Sequence, residues 1–478
     1  MRKNPLKEYD LIVIGSGPAG EKAAVKAAFF GYRVAIIEKE KKMGGAGVNT
    51  GTLPSKTLKE TALYYSGKYD KGLYGIDREL KHGASIDDFM YRKQIVCTSM
   101  NQEIVNNLKR HKVDIYHGEA SFEDSHSVKV AGEEELILRG RFIIIATGSY
   151  PYQPKNIPFD GKRVHDSDSI LTIDKFPKTL CIVGAGVIGC EYATIFAAMG
   201  AQVVVVNNKN TILGFLDREI SVDLVGEMVS DGIDILFETE VKEIHVPSND
   251  TDPIEVVLCN DSTLQVDMFL YAAGRSGNTR TLNLEKVGIQ TGRRETISVN
   301  ACYQTNVSSI YAVGDVVGFP ALASTSMDQG RVAVSHMFQI KDHDRIAKIF
   351  PYGIYTIPEV SMVGLTEETA TEQKVSYEVG IANFSFMPRG KIMGIKTGFL
   401  KLIFEKDNLV ILGVHCIGPL ATELIHFGLS LVENKKNLNQ VISTIFNYPT
   451  LHDLYKYASY NGLGKLPQHT QHIGNQEK

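Results

Sequence analysis

Two stretches of the chain carry the same order of apolar runs and glycine-rich turns. The first has apolar runs at Tyr9–Ile14 and Val34–Ile37, joined by a glycine turn and an Ala-rich segment with helical spacing. The same order returns 169 positions later, with apolar runs at Leu180–Val183 and Val203–Val206 and no insertion inside the unit. Short apolar runs bounded by glycine are typical of buried strands, so the pattern predicts one βαβ unit made twice.

The rest of the chain predicts further strands and helices and a separate C-terminal unit. Residues from about 55 to 115 have helical spacing with mixed charge, while Phe142–Ala146 and Ile310–Val313 are short apolar runs that predict strands. From about residue 351 the pattern changes to mixed strands and helices without a glycine turn. We therefore predict an α/β protein with two Rossmann-like units and an α+β C-terminal domain.

Composition and charge exclude several classes of function. The chain has 478 residues, which suggests about three domains. Its formal net charge of −4, with no basic run, argues against a nucleic-acid partner. No apolar run approaches the roughly 18–20 residues that span a bilayer, and the first residues lack the apolar region of a secretory signal. The six cysteines form no metal-type pair, so we predict no metal site and a reducing, cytoplasmic location.

Each repeat contains a G-x-G-x-x-G turn between a predicted strand and a predicted helix. The glycines are Gly15, Gly17 and Gly20 in the first repeat and Gly184, Gly186 and Gly189 in the second. In such a turn the first glycine permits the tight bend, the second lets the backbone approach a pyrophosphate, and the third lets the helix pack against the strand. The phosphates lie at the helix N-terminus, where N–H groups and the helix dipole favour negative charge. Two turns therefore predict two dinucleotide sites.

The residues at the end of the second strand of each repeat indicate which nucleotides bind. Glu38 ends that strand in the first repeat, where a carboxylate accepts hydrogen bonds from ribose hydroxyls and repels a 2′-phosphate. Asn207 takes the position in the second repeat, followed by Asn208 and Lys209. Asparagine can hydrogen-bond a ribose hydroxyl without repelling a phosphate. We therefore expect the second site to accept both NAD(H) and NADP(H).

These motifs resemble those of the flavoprotein pyridine nucleotide–disulfide oxidoreductases, over about residues 8–465. The likeness rests on the two glycine turns, Ala146-Thr147-Gly148, Gly274-Arg275 and Tyr311-Ala312-Val313-Gly314-Asp315. Within the family the chain is most similar to the Si-specific NAD(P)+ transhydrogenases, in the stretches YDLIVIGSGPAGE, HDSDSIL, GAGVIGCEYATIF, GDVVGFPALAS, GIYTIPEVSMVG and FNYPT. The resemblance implies FAD in the first site and a nicotinamide dinucleotide in the second.

The resemblance also implies which residues bind these cofactors. FAD is expected at Gly15, Gly17, Gly20, Glu38, Gly45, Lys56, Gly118, Ala120, Thr147, Gly148, Asp315 and Ala323. The nicotinamide coenzyme is expected at Gly184, Gly186, Val187, Ile188, Gly189, Asn207, Asn208, Gly274 and Arg275. Lys56 and Glu191 match the family's ion pair beside the flavin and are the expected catalytic residues. A lysine at that place stabilises negative charge that builds on the reduced ring.

The same resemblance implies a division of the chain. Residues 1–150 and 275–350 are expected to form the FAD-binding domain, with the NAD(P)-binding domain, 151–274, between them. Residues 351–466 resemble the family's dimerisation domain, which predicts a homodimer or higher homo-oligomer with Tyr448 near the partner's flavin. Residues 467–478 form a polar tail, in which His469 and His472 have no structural frame for a metal.

Two departures from the family pattern bear on the reaction. Disulfide reductases of this family carry two redox cysteines that flank four residues, and Gly47 and Thr52 stand at those positions here. They also carry a His-Pro-Thr motif that transfers protons, and Tyr448 replaces that histidine. Thiol–disulfide exchange needs a thiolate, and tyrosine is a poor base near neutral pH. His452 is an alternative base, although a histidine without a catalytic role is the simpler interpretation.

We therefore predict FAD-dependent hydride transfer between NADPH and NAD+, in either direction, by ping-pong kinetics and without a redox disulfide. Two alternatives stay open. One is an NAD(P)H oxidase or diaphorase, which passes electrons to oxygen or a quinone. The other is a non-catalytic flavoprotein that senses the redox state of nicotinamides, although the intact glycine turns at both sites argue against it.

Overall fold

The computed structural model describes residues 7–77, 80–249, 251–342 and 345–467. Apart from Pro467, the predicted polar tail lies outside these residues, and so do His469 and His472. None of the described helices is both long enough and apolar enough to cross a bilayer.

The first part of the chain forms a sheet with helices packed against it. Its elements are β1 Lys7–Ile14, α1 Pro18–Phe29, β2 Val34–Glu38, α2 Gly45–Asn49, α3 Thr52–Ser66, α4 Ile86–Arg110, β3 Asp114–His117, β4 Glu119–Asp124, β5 Ser127–Ala131, β6 Glu135–Ile145 and β7 Ser149–Pro151. The order in the sheet is β3-β2-β1-β6-β5-β4. Because β3, β2, β1 and β6 run parallel, their carboxyl ends meet at one edge, where ligands of open α/β sheets bind.

The strand predicted at Phe142–Ala146 is longer than expected. β6 begins at Glu135, and its first half pairs antiparallel with β5. In that half buried and exposed side chains alternate, so the sequence shows no continuous apolar run there. The fully buried end, Ile143, Ile144 and Ile145, is the part that the sequence revealed.

The second part of the chain repeats the plan of the first. Its elements are β8 Val164–Asp166, β9 Thr179–Val183, α5 Val187–Ala198, β10 Gln202–Val206, α6 Arg218–Ser230, β11 Ile233–Leu236, β12 Val241–His245, β13 Ile254–Leu258, β14 Thr263–Val266, β15 Met268–Tyr271 and β16 Arg275–Gly277. A parallel sheet has the order β11-β10-β9-β15-β8, and β12, β13 and β14 form a small antiparallel sheet. α1 and α5 begin at Pro18 and Val187, again 169 positions apart, which confirms the repeated βαβ unit.

After β16 the chain returns to the first sheet. β17 Ile310–Ala312 pairs with β6, and α7 Ala323–Met337 packs against α1. β16 pairs with β7, which joins the first and second parts directly.

The C-terminal part forms an antiparallel sheet with helices on it. Its elements are β18 Tyr352–Ile354, β19 Val360–Gly364, α8 Glu367–Glu372, β20 Tyr377–Asn383, α9 Pro388–Ile392, β21 Phe399–Glu405, β22 Ile411–Ile417, α10 Ala421–Glu433, α11 Leu438–Ser443 and α12 Asp453–Gly464. The sheet has the order β18-β19-β22-β21-β20, and α10 and α12 pack against it. The structure thus confirms the predicted fold class.

A buried lysine ties the C-terminal part to the second part. Lys401 of β21 is fully buried, and its Nζ lies 2.8 Å from Asp217 Oδ1 and 2.9 Å from Glu219 Oε2. It also contacts the Glu367 carboxylate at the start of α8. The three carboxylates lie close enough together to hold a metal ion, but the Lys401 ammonium group already pairs with all of them. We call these four residues the Lys401 cluster.

Candidate active site

A cleft of about 1250 Å³ opens at the carboxyl ends of β1, β2 and β6 and extends to the start of α5. The predicted site residues that line it are Gly15, Gly17, Glu38, Gly45, Lys56, Gly118, Ala120, Thr147, Gly148, Val187, Ile188, Glu191, Arg275, Asp315 and Ala323. The predicted residues that lie outside the lining are Gly20, Gly184, Gly186, Gly189, Asn207, Asn208 and Gly274. Pockets for drug-sized molecules hold about 300–1000 Å³, so this cleft is large enough for a dinucleotide.

The first glycine turn brings the N-terminus of α1 to the cleft. Gly15 has φ +101°, and a Cβ there would lie 2.4 Å from the Ala146 carbonyl oxygen. A Cβ on Gly20 would lie 2.0 Å from the Gly15 carbonyl oxygen, so Gly20 packs beneath the turn instead of facing the cleft. Gly17 caps α1 without a side-chain hydrogen bond, which leaves the first N–H groups of the helix available to an anion.

The carboxylate at the end of β2 is held by the glycine turn itself. Glu38 Oε2 accepts hydrogen bonds from Ser16 N–H at 3.0 Å and from Ser16 Oγ at 2.6 Å. Gly44 N–H in turn donates to Ser16 Oγ at 2.9 Å. Glu38 is buried and lines the cleft, so its orientation there is fixed before any ligand binds. Ser16, inside the glycine motif, was not among the predicted site residues, although its hydroxyl group was the available signal.

Polar groups around Thr147 fit the FAD that the resemblance implies. Thr147 lines the cleft, and its Oγ1 is buried with no hydrogen-bond partner among the described residues. A buried hydroxyl left without a partner is unfavourable, and a ligand in the cleft removes that penalty by pairing with it. Nearby, Ser149 Oγ donates to Asp315 Oδ2 at 2.9 Å and so orients a second carboxylate of the cleft. A free hydroxyl, two fixed carboxylates and an uncapped helix N-terminus together suit a flavin nucleotide.

An ion pair joins α3 to α5 at the cleft. Lys56 Nζ donates to Glu191 Oε1 at 2.7 Å and to Oε2 at 2.6 Å. The Glu191 side chain is only 4% exposed, whereas that of Lys56 is 23% exposed. Such a fixed cation can stabilise negative charge that develops on a bound molecule.

Two neighbours that the sequence did not indicate complete this pair. Tyr355 N–H donates to Glu191 Oε1 at 3.0 Å, and the Tyr355 ring centre lies 5.0 Å from Lys56 Nζ. Ser55 Oγ donates to Glu191 Oε2 at 3.4 Å. The Glu191 carboxylate is therefore held from three directions.

The second glycine turn has the geometry of the first. Gly184 has φ +103°, and a Cβ on Gly189 would lie 1.8 Å from the Gly184 carbonyl oxygen. Gly186 caps α5 without a side-chain hydrogen bond, and a Cβ there would meet nothing within 4 Å. The turn thus leaves open space at the N-terminus of α5, while the next residues, Val187 and Ile188, line the cleft.

The end of β10 carries polar side chains that are already hydrogen-bonded. Asn207 Nδ2 donates to the carbonyl oxygens of Lys209 and Thr211 at 3.1 Å and 2.9 Å, and this side chain is buried. Asn208 Nδ2 donates to Glu240 Oε1 at 2.9 Å at the surface. The Glu240 carboxylate therefore lies beside Asn208, which was predicted to face the coenzyme ribose. The sequence did not reveal this carboxylate.

Two arginines lie near Gly274. A Cβ on Gly274 would lie 2.7 Å from Arg294 Nη1, so the Arg294 guanidinium stands beside Gly274. Arg275 Nε donates to Ser149 Oγ at 2.9 Å, and its Nη1 pairs with Asp168 Oδ1 at 3.3 Å. Burial raises the pKa of the Asp168 carboxyl, and the Arg275 guanidinium opposes that shift. Arg275 thus connects the first and second parts of the chain at the cleft.

Among the described residues, none of those that line the cleft is a cysteine. Gly47 and Thr52, the residues at the family's redox-cysteine positions, both line it. A Cβ on Gly47 would lie 2.8 Å from Pro18 Cγ, so a larger residue there requires a neighbour to shift. Of the free cysteines, Cys259 is exposed, Cys302 is half-buried and the others are buried.

The other departure from the family pattern lies outside this cleft. Tyr448 is 70% exposed and does not contribute to the lining. His452 packs against the rings of Phe427, Phe446 and Tyr455, and burial lowers its pKa. His452 is thus a packed residue of the C-terminal part and does not line the cleft.

Comparisons with known proteins agree with this architecture. The pyridine nucleotide-disulphide oxidoreductase family matches residues 9–330, and the dimerisation domain of the same family matches residues 350–459. The soluble pyridine nucleotide transhydrogenase of Mycobacterium tuberculosis (strain ATCC 25177 / H37Ra) is 41% identical over 464 residues, 96% of this chain and 98% of the relative. That of Sodalis glossinidius (strain morsitans) is 41% identical over 469 residues, 97% and 99% of the two chains.

Solved structures are similar over almost the whole chain. The HOCl-induced flavoprotein disulfide reductase RclA from Escherichia coli has a TM-score of 0.84 at 27% identity, covering 94% of this chain and 99% of the other. LpdA (Rv3303c) from Mycobacterium tuberculosis has a TM-score of 0.87 at 24% identity, covering 95% and 99%, and shares the fold.

Proposed function

The chain belongs to the pyridine nucleotide-disulphide oxidoreductase family, and on that premise we propose that it is an FAD-dependent transhydrogenase that moves hydride between NADPH and NAD+ in either direction. Relatives at 41% identity over nearly the full length carry the name soluble pyridine nucleotide transhydrogenase, which supports this reaction. The six free cysteines suit a reducing cytoplasm.

One observation carries the proposal. The cleft combines the first glycine turn, the start of α5 and the Lys56–Glu191 pair, while Gly47 and Thr52 stand at the redox-cysteine positions. Without a thiolate in the lining, a substrate disulfide has no exchange partner. We therefore propose hydride transfer without a redox disulfide.

The chain's own residues have distinct tasks in this reaction. The N-terminus of α1 binds the FAD pyrophosphate, Glu38 binds its ribose, and Thr147 and Asp315 offer hydrogen bonds further along the cleft. When bound, FAD would supply the group that takes up hydride from one nicotinamide and gives it to another. Lys56, oriented by Glu191, holds a positive charge where negative charge develops.

The proposed domains follow the predicted division of the chain. Residues 1–150 and 275–350 bind FAD, residues 151–274 bind the coenzyme at the second glycine turn, and residues 351–466 form the interface of a homodimer. Because the chain carries a single coenzyme turn, NAD(H) and NADP(H) use the same site in succession. Ping-pong kinetics follow, with parallel double-reciprocal plots.

The test uses the FAD-loaded protein. Stopped-flow mixing with NADPH should bleach the visible flavin absorbance, and a second mixing with NAD+ should restore it at a rate matching steady-state turnover. Intersecting double-reciprocal plots without prior flavin reduction would contradict the scheme. Faster reoxidation by oxygen or a quinone than by NAD+ would favour an oxidase or diaphorase, and a single reduction without turnover would favour a sensor. Arsenite, which binds dithiols, should not inhibit, and brisk reduction of lipoamide would overturn the disulfide-free reaction.

A further inference from the structure

Helix α3 carries a second buried ion pair, one turn beyond Lys56. Lys59 Nζ lies 2.5 Å from Glu359 Oε1, and the two side chains are 4% and 6% exposed. Taking two charges out of water is unfavourable unless both are well paired. The proposed reaction makes no direct use of this pair, so its position needs another explanation.

Glu359 ends a short segment, residues 355–359, which runs from the Lys56–Glu191 pair to the Lys59–Glu359 pair. We call it the bridging segment. At its start, Tyr355 N–H donates to Glu191 Oε1 at 3.0 Å. In its middle, Ile357 N–H donates to Thr194 Oγ1 of α5 at 3.2 Å.

The end of the bridging segment is held by α10 as well as by α3. Glu359 Oε2 accepts hydrogen bonds from Thr422 N–H at 3.1 Å and from Thr422 Oγ1 at 2.7 Å. The two oxygens of one carboxylate therefore fix the segment to both helices. Three residues separate Glu359 from Tyr355, whose N–H group contacts Glu191.

We propose, on the basis of the proposed function, that Glu359 is a positioning residue for the Lys56–Glu191 pair. Through Lys59 and Thr422 it holds the bridging segment so that the Tyr355 N–H group stays on the Glu191 carboxylate. Glu191 then keeps the orientation in which it holds Lys56 at the cleft. The C-terminal part of the chain, which supplies the bridging segment, thereby contributes to the reaction of its own subunit.

The Lys401 cluster offers a matched control. Lys401 is also a fully buried lysine that joins the C-terminal part to another part of the chain, and none of its partners lines the cleft. Glu359→Gln and Glu367→Gln each remove one carboxylate charge from a buried lysine. The two variants differ because only Glu359 belongs to the bridging segment, which contacts Glu191.

The experiment compares the wild-type protein, E359Q and E367Q, all loaded with FAD. Stopped-flow reduction over a range of NADPH concentrations separates the limiting reduction rate from the coenzyme dissociation constant, and thermal melting reports stability. We expect E359Q to lower the limiting rate about 10-fold, because small displacements of positioned groups slow reactions strongly. The NADPH dissociation constant and the E367Q limiting rate should stay near their wild-type values, and the visible circular dichroism of the flavin should change in E359Q alone.

A milder variant covers the case in which E359Q fails to fold. Thr422→Val removes the hydroxyl donor to Glu359 without leaving a buried charge unpaired, and it should lower the limiting rate by less than E359Q does. Because Thr422 also lines the cleft, a changed NADPH dissociation constant in T422V would count against a positioning role. A wild-type limiting rate in E359Q would overturn the inference. If E359Q does not fold, a wild-type limiting rate in T422V would do the same. Equal losses of rate in E359Q and E367Q would also overturn it. Failure of the proposed function is a different result, because in that case NADPH would not reduce the wild-type flavin at all.

Discussion

Lys56 Nζ lies 2.7 Å from Glu191 Oε1 and 2.6 Å from Oε2, so one ammonium group is shared by both oxygens of a buried carboxylate. The two residues are 135 positions apart in the chain and come from its first and second parts. Their contact places a fixed charge where the two parts meet at the cleft. Mutation of either residue therefore tests directly whether this charge is needed for the proposed reaction.

Replacing Lys56 by Met should slow flavin reduction by about 100-fold, because it removes the cation that stabilises developing negative charge. The measurement is the limiting stopped-flow rate with saturating NADPH. Lys68→Met is the matched control, since the Lys68 side chain is also 23% exposed and pairs with Asp231 away from the cleft. Equal rates in the two variants would show that Lys56 has no role in the transfer.

Replacing Gly189 by Ala should disrupt the second glycine turn, because the added Cβ would lie 1.8 Å from the Gly184 carbonyl oxygen. We expect a loss of about 3 kcal/mol of stability from overpacking, and weaker NADPH binding in protein that still holds its flavin. Thermal melting and a titration of flavin reduction measure the two effects. Gly226→Ala on α6 is the control, since its Cβ would meet nothing within 4 Å and alanine favours a helix. A G189A protein that melts and binds like wild type would contradict the packing role of Gly189.

The repeat was readable from sequence because its signals are local. The glycines, the apolar runs and the helix starts at Pro18 and Val187 follow one another within about 30 residues, which is the length of a βαβ unit. The contact between Lys56 and Glu191 came from the family resemblance, and the structure contains it.

The parts of the site that the sequence did not predict depend on contacts between residues far apart in the chain. Tyr355 reaches Glu191 across 164 positions, and Glu359 reaches Lys59 across 300. No periodicity or spacing along the chain reports such contacts, since they are set by how the three parts pack. Local pattern likewise hid the first half of β6, where alternating burial gave no apolar run.

The stability of the protein should fall as the pH drops below about 6.5, the pKa of an unperturbed histidine. His415 is fully buried, and burial lowers its pKa, with Asp217 opposing the shift and Lys401 adding to it. Its Nε2 lies 2.8 Å from the Leu365 carbonyl oxygen, whereas its Nδ1 is buried with no partner among the described residues. The unfolded chain therefore binds a proton that the folded protein excludes, so the free energy of unfolding decreases as the pH falls, by up to about 1.4 kcal/mol per pH unit for this group.

Thermal melting between pH 7.5 and pH 5 measures this dependence, with pH values chosen around the histidine pKa of about 6.5. His415→Gln should flatten the slope, because glutamine can donate to the same carbonyl and does not titrate. His245→Gln should keep the wild-type slope, since the His245 side chain is 58% exposed. The buried His165, whose pKa burial also lowers, leaves part of the slope in H415Q. Identical slopes in H415Q and H245Q would contradict the assignment to His415.

Replacing Glu240 by Gln should improve the use of NADPH relative to NADH. Glu240 Oε1 accepts a hydrogen bond from Asn208 Nδ2 at 2.9 Å, at the strand end where the coenzyme ribose is predicted to lie. A carboxylate there repels a 2′-phosphate, and exposed charges interact by about 0.2–1 kcal/mol, so the ratio of dissociation constants should shift by about 1.4- to 5-fold toward NADPH. Titrating flavin reduction with each coenzyme gives the ratio, and the shift should shrink at high salt because exposed charges are screened.

Glu243→Gln on β12 is the control, since its side chain is also exposed, at 53%. If E240Q and E243Q give the same ratio, the 2′-phosphate does not lie at Asn208, and the predicted use of both coenzymes would depend on another part of the second glycine-turn region, where Arg294 lies beside Gly274.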